Sequence, residues 1–145
     1  MIPACVLLVA LGADSAEPLA HDDRDRARAL FELSRADIKT LHKSRLEVAD
    51  DLLATMKALY ATGKVSTNSI SNASSLRSRA ALTPTRNSVP ESVLREEWNY
   101  RFEAYRIAKA RDEAALIDRA SYAEIKLDLL ETEIQLALCR EKKSK

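Results

Sequence analysis

A long stretch without glycine or proline extends from Asp22 to Thr62 and reads DDRDRARALFELSRADIKTLHKSRLEVADDLLATMKALYAT. Asp22 and Asp23 are typical of a helix start, because carboxylates there face the positive end of the helix dipole. Apolar residues then follow a pattern close to the a and d positions of a heptad, with Arg45 as a break. They are Ile38, Leu41, Val48, Leu52, Met56 and Leu59. The stretch predicts one helix roughly 60 Å long at about 1.5 Å per residue, a length that favours a hairpin or coiled-coil architecture.

The composition points to the same class of fold. The chain of 145 residues has two glycines, four prolines, 5% aromatic residues and 31% charged residues, whereas average usage would give roughly ten glycines. Sheets rich in tight turns and glycine-rich phosphate loops both need more glycine than this. We therefore predict an all-α fold of long antiparallel, coiled-coil-like helical hairpins with three to four helices. The net charge of +1 gives no field that would attract nucleic acid or an anionic membrane.

The segment from Met1 to Ala13 carries no charged side chain and includes the apolar run Val6–Leu11. This run is too short to span a bilayer, which needs about 20 apolar residues, but it suits a secretory signal peptide cleaved between Gly12 and Ala16. We expect residues 1–16 to be a signal peptide and residues 17–145 a single helical domain of the periplasm or cell envelope. The alternative is an N-terminal core segment in a cytoplasmic protein. Cleavage would remove Cys5 and leave Cys139 as the one thiol, which excludes an internal disulfide.

Gly63 is expected to lie directly after the end of the long helix, because glycine tolerates the positive φ of that position. Ser66 can cap a new helix, yet residues 66–75 are rich in Ser and Asn, which compete with helical hydrogen bonds. Residues 66–82 are therefore either a helix or a disordered loop. A linker at residues 83–90 follows, with Pro84 and Pro90 near its ends, and the spacing of Ser88 and Glu91 predicts a capping box.

Two more helices are predicted after the linker. The first runs from about residue 90 to 115 and has one apolar stripe that we expect to pack in a helix–helix core. The stripe consists of Leu94, Trp98, Phe102 and Tyr105. The last helix, from Tyr122 to Leu138, has apolar residues on more than one face, which indicates packing against two neighbours or an oligomer partner.

No constellation of residues indicates catalysis, a cofactor or a metal ion. His21 and His42 are the only histidines, and neither has a second His or a Cys at metal-ligand spacing. A site formed by His21, Asp22 and Asp23 would require a freed N-terminus, and a solvated helix start is the favoured interpretation. Neighbouring acidic pairs such as Glu96 and Glu97 point about 100° apart on a helix. We expect the protein not to be an enzyme.

An internal repeat is the most specific feature of the sequence. Gly63-Lys64-Val65-Ser66 aligns with Ala115-Leu116-Ile117-Asp118, and Ile70 aligns with Tyr122 at the same offset. Each copy places a helix end, a short apolar turn and a capping residue in the same order. The repeat predicts two helical hairpins with both tips at one end. Because Ala115 replaces glycine, we expect a sharp turn at Gly63 and an almost continuous helix through Ala115.

The repeat resembles the helical hairpin tips of the TolC-like outer membrane efflux family. Tyr60-Ala61-Thr62-Gly63-Lys64-Val65-Ser66 followed by Ile70 matches the first tip, and Ile117, Asp118 and Tyr122 match the second. The second tip is followed by Leu129-Leu130-Glu131-Thr132-Glu133-Ile134-Gln135-Leu136, which is similar to the Leu- and Glu-rich helix of that family. The resemblance covers about residues 58–138. The linker at residues 83–90 is shorter than a membrane-spanning β-hairpin, so no β-barrel is expected here.

The resemblance implies a non-enzymatic envelope protein that acts in efflux or transport assembly, binding itself or a coiled-coil adaptor through its tips. The residues that it places at the contact are Gly63, Lys64, Val65, Ser66, Leu116, Ile117 and Asp118. An ordinary hairpin turn is the alternative interpretation of these residues. Two other functions stay open: a helical-bundle sensor or chaperone of the envelope that holds a ligand on its apolar faces, and a structural coiled-coil scaffold.

Overall fold

The computed structural model describes the backbone of residues 16–144 and the side chains of residues 23–144. Five helices and no strand occupy this range, which confirms the all-α class, whereas the predicted number of three to four helices is wrong. The helices are α1 (Ala16–Arg35), α2 (Ile38–Ala61), α3 (Thr67–Ala81), α4 (Glu91–Glu113) and α5 (Arg119–Lys143). Cleavage of a signal peptide, the Cys5 thiol and a His21 metal site all concern atoms outside the described range.

The additional helix arises from a break at Asp37 inside the expected long helix. Asp37 has extended backbone angles, φ −92° and ψ 157°, and its Oδ1 accepts a hydrogen bond of 2.7 Å from the Thr40 N–H. This bond to the backbone lowers the pKa of Asp37 below its ordinary value. The single helix from Asp22 to Thr62 is therefore a wrong prediction, because Asp37 caps a new helix. The first helix also begins earlier than expected, at Ala16.

The chain divides at this break into two compact units, with α1 in the first and α2–α5 in the second. In α1, Arg28 and Glu32 form an exposed ion pair of 3.1 Å one helical turn apart. The guanidinium of Arg35 lies 5.4 Å from the ring centre of Phe31, which is 61% exposed. Such contacts stabilise a solvated helix by a few tenths of a kcal/mol.

In the second unit, α2 packs against both α3 and α5, and α5 also packs against α4. Residues later in α2 contact residues earlier in α3: Arg45 donates to the carbonyl oxygen of Ala80, whereas Asp50 forms an ion pair with Arg77. The contacts between α4 and α5 follow the same rule, since a later residue of α4 contacts an earlier residue of α5. Trp98 bonds Glu133, whereas the Tyr105 ring lies beside the Tyr122 ring.

Small residues bring α2, α3 and α5 close together. Ala49 and Ala80 are buried in a cluster with Leu127, and a neighbouring cluster is formed by Leu52, Met56, Ala73 and Ala123. Alanines at these points let the helices approach with little side-chain volume between them. The buried residues of α5 occupy several faces, which confirms the prediction that this helix packs against two neighbours.

The aromatic stripe of α4 lies partly in the core: Leu94 and Trp98 are buried, whereas Phe102 and Tyr105 are half-buried. Trp98 is completely buried, Leu94 is nearly so, and the Trp98 ring stacks on Phe102 with ring centres 4.9 Å apart. Stacked aromatic pairs contribute about 0.5–1.5 kcal/mol beyond the area that they bury. Trp98 and Tyr105 of the stripe also contact Glu133 and Tyr122 of α5, as expected for helix–helix packing.

The Ser- and Asn-rich segment is a helix, which settles the alternative left open by its sequence. Ala73 and Ala80 of α3 are buried, whereas Ser71, Asn72 and Ser74 are exposed. Packing of the alanine face against α2 therefore outweighs the weak helix propensity of the exposed residues.

The linker between α3 and α4 is held by Gln135, a buried residue of α5. Its Oε1 accepts a 2.9 Å bond from the Asn87 N–H, and its Nε2 donates a 2.9 Å bond to the Thr85 carbonyl oxygen. The capping box expected from Ser88 and Glu91 is wrong, since Pro90 occupies the N-cap position of α4 without a side-chain cap. None of the described helices is both long and apolar enough to cross a membrane.

Candidate functional site

The first tip is a Schellman turn between α2 and α3. Gly63 has φ +71°, its N–H donates to the Tyr60 carbonyl oxygen at 2.9 Å, and the Lys64 N–H donates to the Leu59 carbonyl oxygen at 2.9 Å. This pair of bonds satisfies carbonyl groups that the helix end leaves free, and it requires a left-handed residue at position 63. The predicted role of Gly63 at the helix end is confirmed.

The second tip, between α4 and α5, repeats this turn with alanine in the left-handed position. Ala115 has φ +55°, and its N–H donates to the Asp112 carbonyl oxygen at 3.0 Å, while the Leu116 N–H donates to the Arg111 carbonyl oxygen at 2.7 Å. The almost continuous helix expected through Ala115 is therefore wrong. An L-residue with a Cβ adopts this conformation at a cost of about 1–2 kcal/mol.

The two tips differ in how the next helix is capped. Asp118 Oδ1 accepts a 2.9 Å bond from the Ser121 N–H, and its Oδ2 accepts a 2.6 Å bond from the Ser121 hydroxyl. These bonds, the hydroxyl bond first, lower the pKa of Asp118. Ser66 has the backbone angles of an N-cap but makes no side-chain cap bond, so its predicted capping bond is wrong.

An open groove with a volume of about 840 Å³ joins the two tips. Val65 from the first tip and Asp118 from the second both line it, so each tip contributes a residue to the same groove. The other lining residues are Leu52, Thr55, Met56, Ala58, Leu59, Ser69, Asn72, Ala73, Leu76, Arg119, Ala120 and Glu124.

The remaining predicted contact residues do not line this groove. Gly63, Lys64, Ser66 and Leu116 are exposed, and Ile117 is half-buried. Sequence reasoning missed the apolar floor of the groove, although Leu52, Met56 and Leu59 belong to the heptad-like pattern of α2. With an apolar floor and the charged residues Asp118, Arg119 and Glu124 along it, the groove suits an amphipathic ligand or helix.

A second feature is the buried guanidinium of Arg45, whose side chain is 8% exposed. Arg45 forms an ion pair with Glu131 of α5, and its Nη2 donates to the carbonyl oxygens of Ala80 and Leu82 at 3.2 and 2.8 Å. His42 Nδ1 lies 3.1 Å from the same Nη2. Arg45 therefore joins α2, the C-terminal end of α3 and α5, and it lines a separate cleft of about 290 Å³.

The break that Arg45 makes in the apolar pattern was the signal for this cluster. Its guanidinium binds carbonyl oxygens that the end of α3 would otherwise leave free. Because Nη1 and Nη2 are directed at the protein's own carboxylate and carbonyl oxygens, the arrangement is a structural anchor.

The described part of the chain offers little reactive chemistry. No three of its His, Cys, Asp and Glu side chains lie close enough together to hold a metal ion, and Cys139 is buried. Burial raises the pKa of Glu133, although the bond from Trp98 Nε1 opposes this shift.

Comparison with protein-family models, curated proteins and solved structures found no match to the chain.

Proposed function

We propose that this chain is a non-enzymatic helical protein of the cell envelope that binds a helical partner at its paired tips. Its architecture is two antiparallel hairpins, α2–α3 and α4–α5, joined through α2 and α5. The paired contacts in each hairpin support this description, because residue numbers rise along one helix while those of its partners fall along the other. The proposal extends the resemblance to the periplasmic hairpins of TolC-like proteins, which act in efflux and transport assembly.

The groove between the tips is the observation that carries the proposal. Val65 of the first turn and Asp118 of the second line this groove together with the half-buried Leu59 and Leu76. Leu116 of the second turn is 76% exposed. Exposed apolar surface bordered by charged residues is typical of protein–protein contacts. A partner helix laid into the groove would cover this surface.

A photo-crosslinking residue introduced in place of Lys64 tests the proposal in cells. Lys64 is exposed in the first tip, so the crosslinker would reach a partner without disturbing the core. We expect a crosslink to a helical envelope protein or to another copy of this chain. The matched control is the same crosslinker at Leu82, which is 66% exposed beyond the other end of α3.

Charge introduced at the tips tests the same contact. We expect Ile117→Asp and Val65→Asp to reduce crosslinking from position 64 while the helical content measured by circular dichroism stays constant. Val65 packs against the Leu52 cluster, so Ile117→Asp is the cleaner variant. Crosslinking that is unchanged by either substitution, or that is equally strong from position 82, would contradict tip binding. Fractionation of the same cells tests the envelope location.

A second function is favoured by the size of the groove. A volume of about 840 Å³ lies within the range of small-molecule sites, about 300–1,000 Å³, so an envelope sensor or chaperone would hold an apolar ligand there. Ser69→Phe would fill the groove that Ser69 lines, and Ser71→Phe places the same side chain at an exposed position outside it. Loss of binding of an environment-sensitive dye in the first variant alone supports this function.

A further inference from the structure

We propose that the partner at the tips is a second copy of this chain, bound end to end across a two-fold axis. The inference rests on the proposed function, because it takes the paired tips to be the binding end. In this arrangement Leu116 of each copy enters the groove of the other, and the first tip of each copy faces the second tip of its partner.

Leu116 is the projecting residue of this contact. It occupies the position after the left-handed Ala115 in the second turn, and 76% of its surface is exposed. Asp118, two positions further along the chain, already lines the groove. An exposed leucine and an apolar groove thus both involve the second tip.

The charges of the two tips are complementary. Residues 57–66 contain Lys57 and Lys64 and no acidic side chain, which gives a charge of +2. Residues 111–119 carry three carboxylates, Asp112, Glu113 and Asp118, against two arginines, which gives −1. Facing first and second tips therefore attract each other, whereas contacts between two first tips would place lysines together.

A two-fold contact requires one surface to be complementary to itself. A two-fold axis that passes between the tips, perpendicular to the line that joins them, places the first tip of one copy against the second tip of the other. Leu116 belongs to the second tip and therefore meets the first tip of the partner copy, whose Val65 lines the groove. The apolar side chain, the recess and the charges therefore agree on one symmetry operation, which favours a second copy as the occupant of the groove.

Sedimentation of the full chain across a range of concentrations tests this dimer. We expect a monomer–dimer equilibrium that Leu116→Asp weakens about tenfold or more, as removal of a central apolar anchor does at other interfaces. Leu82→Asp, a change of the same kind at another exposed leucine, should leave the equilibrium unchanged. A wild-type chain that stays monomeric, or a dimer that Leu116→Asp leaves intact, would overturn the inference.

Charge reversal supplies an independent test of the orientation. Lys64→Glu should weaken the dimer, and adding Glu113→Lys should restore it, because the exchanged charges face each other across the axis. Failure of the second change to restore dimerisation would exclude this pairing of the tips. If the wild type is monomeric while Lys64 crosslinks to another envelope protein, the dimer is wrong and the proposed function stands. If neither occurs, both fail.

Discussion

Gly63 and Ala115 occupy the same position in the two tip turns, the first between α2 and α3 and the second between α4 and α5. Their φ angles are +71° and +55°, and both turns close with the same pair of backbone hydrogen bonds. The flanking N-caps, Ser66 and Asp118, also share extended backbone angles. The two copies of the repeat therefore agree in backbone geometry where their side chains differ, and the alanine copy holds a conformation that glycine adopts without strain.

Ala115→Gly should stabilise the protein by about 1 kcal/mol, because the left-handed strain of alanine exceeds the extra freedom that glycine gives the unfolded chain. Gly63→Ala should destabilise it by a similar amount; the new Cβ would meet no atom within 4 Å, so the cost is conformational. Urea unfolding followed by circular dichroism measures both. Ala114→Gly, at a position with φ −88°, is the control and should not stabilise. Stabilisation by that change as well would show that the effect is not specific to positive φ.

The caps of the two repeats give a second prediction. Ser66→Asp should stabilise the protein by about 0.5–1 kcal/mol, since a carboxylate at this N-cap can accept the backbone bond that Ser66 does not make. Asp118→Ala should destabilise it by about 1 kcal/mol, as the two bonds to Ser121 are lost. Both changes are measured as shifts in the midpoint of urea unfolding.

The pH dependence provides the check on the Asp118 cap. The pKa of Asp118 is lowered in the folded state, so its contribution is present above the ordinary value of 3.8 and is lost as the pH falls through the lower folded value. The difference between wild type and Asp118→Ala should therefore shrink in strong acid. A difference that is the same at neutral and strongly acidic pH would contradict a charged cap.

The sequence predicts those features that depend on local chemistry. Gly63 marks its turn because glycine is the residue that favours positive φ, and the spacing of Trp98 and Leu94 places both in the core. Ala115 gives no such signal, because alanine does not favour positive φ. The break at Asp37 was hidden by the continuing apolar pattern, although Asp37 is a good N-cap residue.

The groove and the Arg45 anchor required the tertiary structure. Arg45 interrupts the apolar pattern of α2, but its ion-pair partner Glu131 lies 86 residues later in the chain, and no local rule connects the two. Likewise, Val65 and Asp118 belong to different turns of the chain and line one groove because α2 packs against α5. The sequence could therefore indicate the tips but not the surface between them.

Arg45→Ala should destabilise the protein by about 2–3 kcal/mol, because the change leaves Glu131 without its cation and the Ala80 and Leu82 carbonyl oxygens without a donor. The Glu131 side chain is 47% exposed, so water can solvate it and limit the loss. Arg77→Ala is the matched control, because the Arg77–Asp50 pair is 40% and 51% exposed and such pairs contribute less than about 1 kcal/mol. Equal losses in the two variants, measured by urea unfolding, would contradict the anchoring role of Arg45.

Glu133→Gln should stabilise the protein at neutral pH and have little effect near pH 4. Burial raises the pKa of Glu133 above its ordinary value of 4.5, so the neutral carboxyl is favoured in the folded state. Its contribution to stability is fully present below the ordinary value and declines as the pH rises through the folded value. Glutamine stays neutral throughout and can still accept the bond from Trp98 Nε1, which is 3.2 Å long in the wild type.

The measurement for Glu133→Gln is the free energy of unfolding at both pH values, with Glu96→Gln, an exposed change on α4, as the control. A gain that is equal at the two pH values would show that burial of the charge is not its cause.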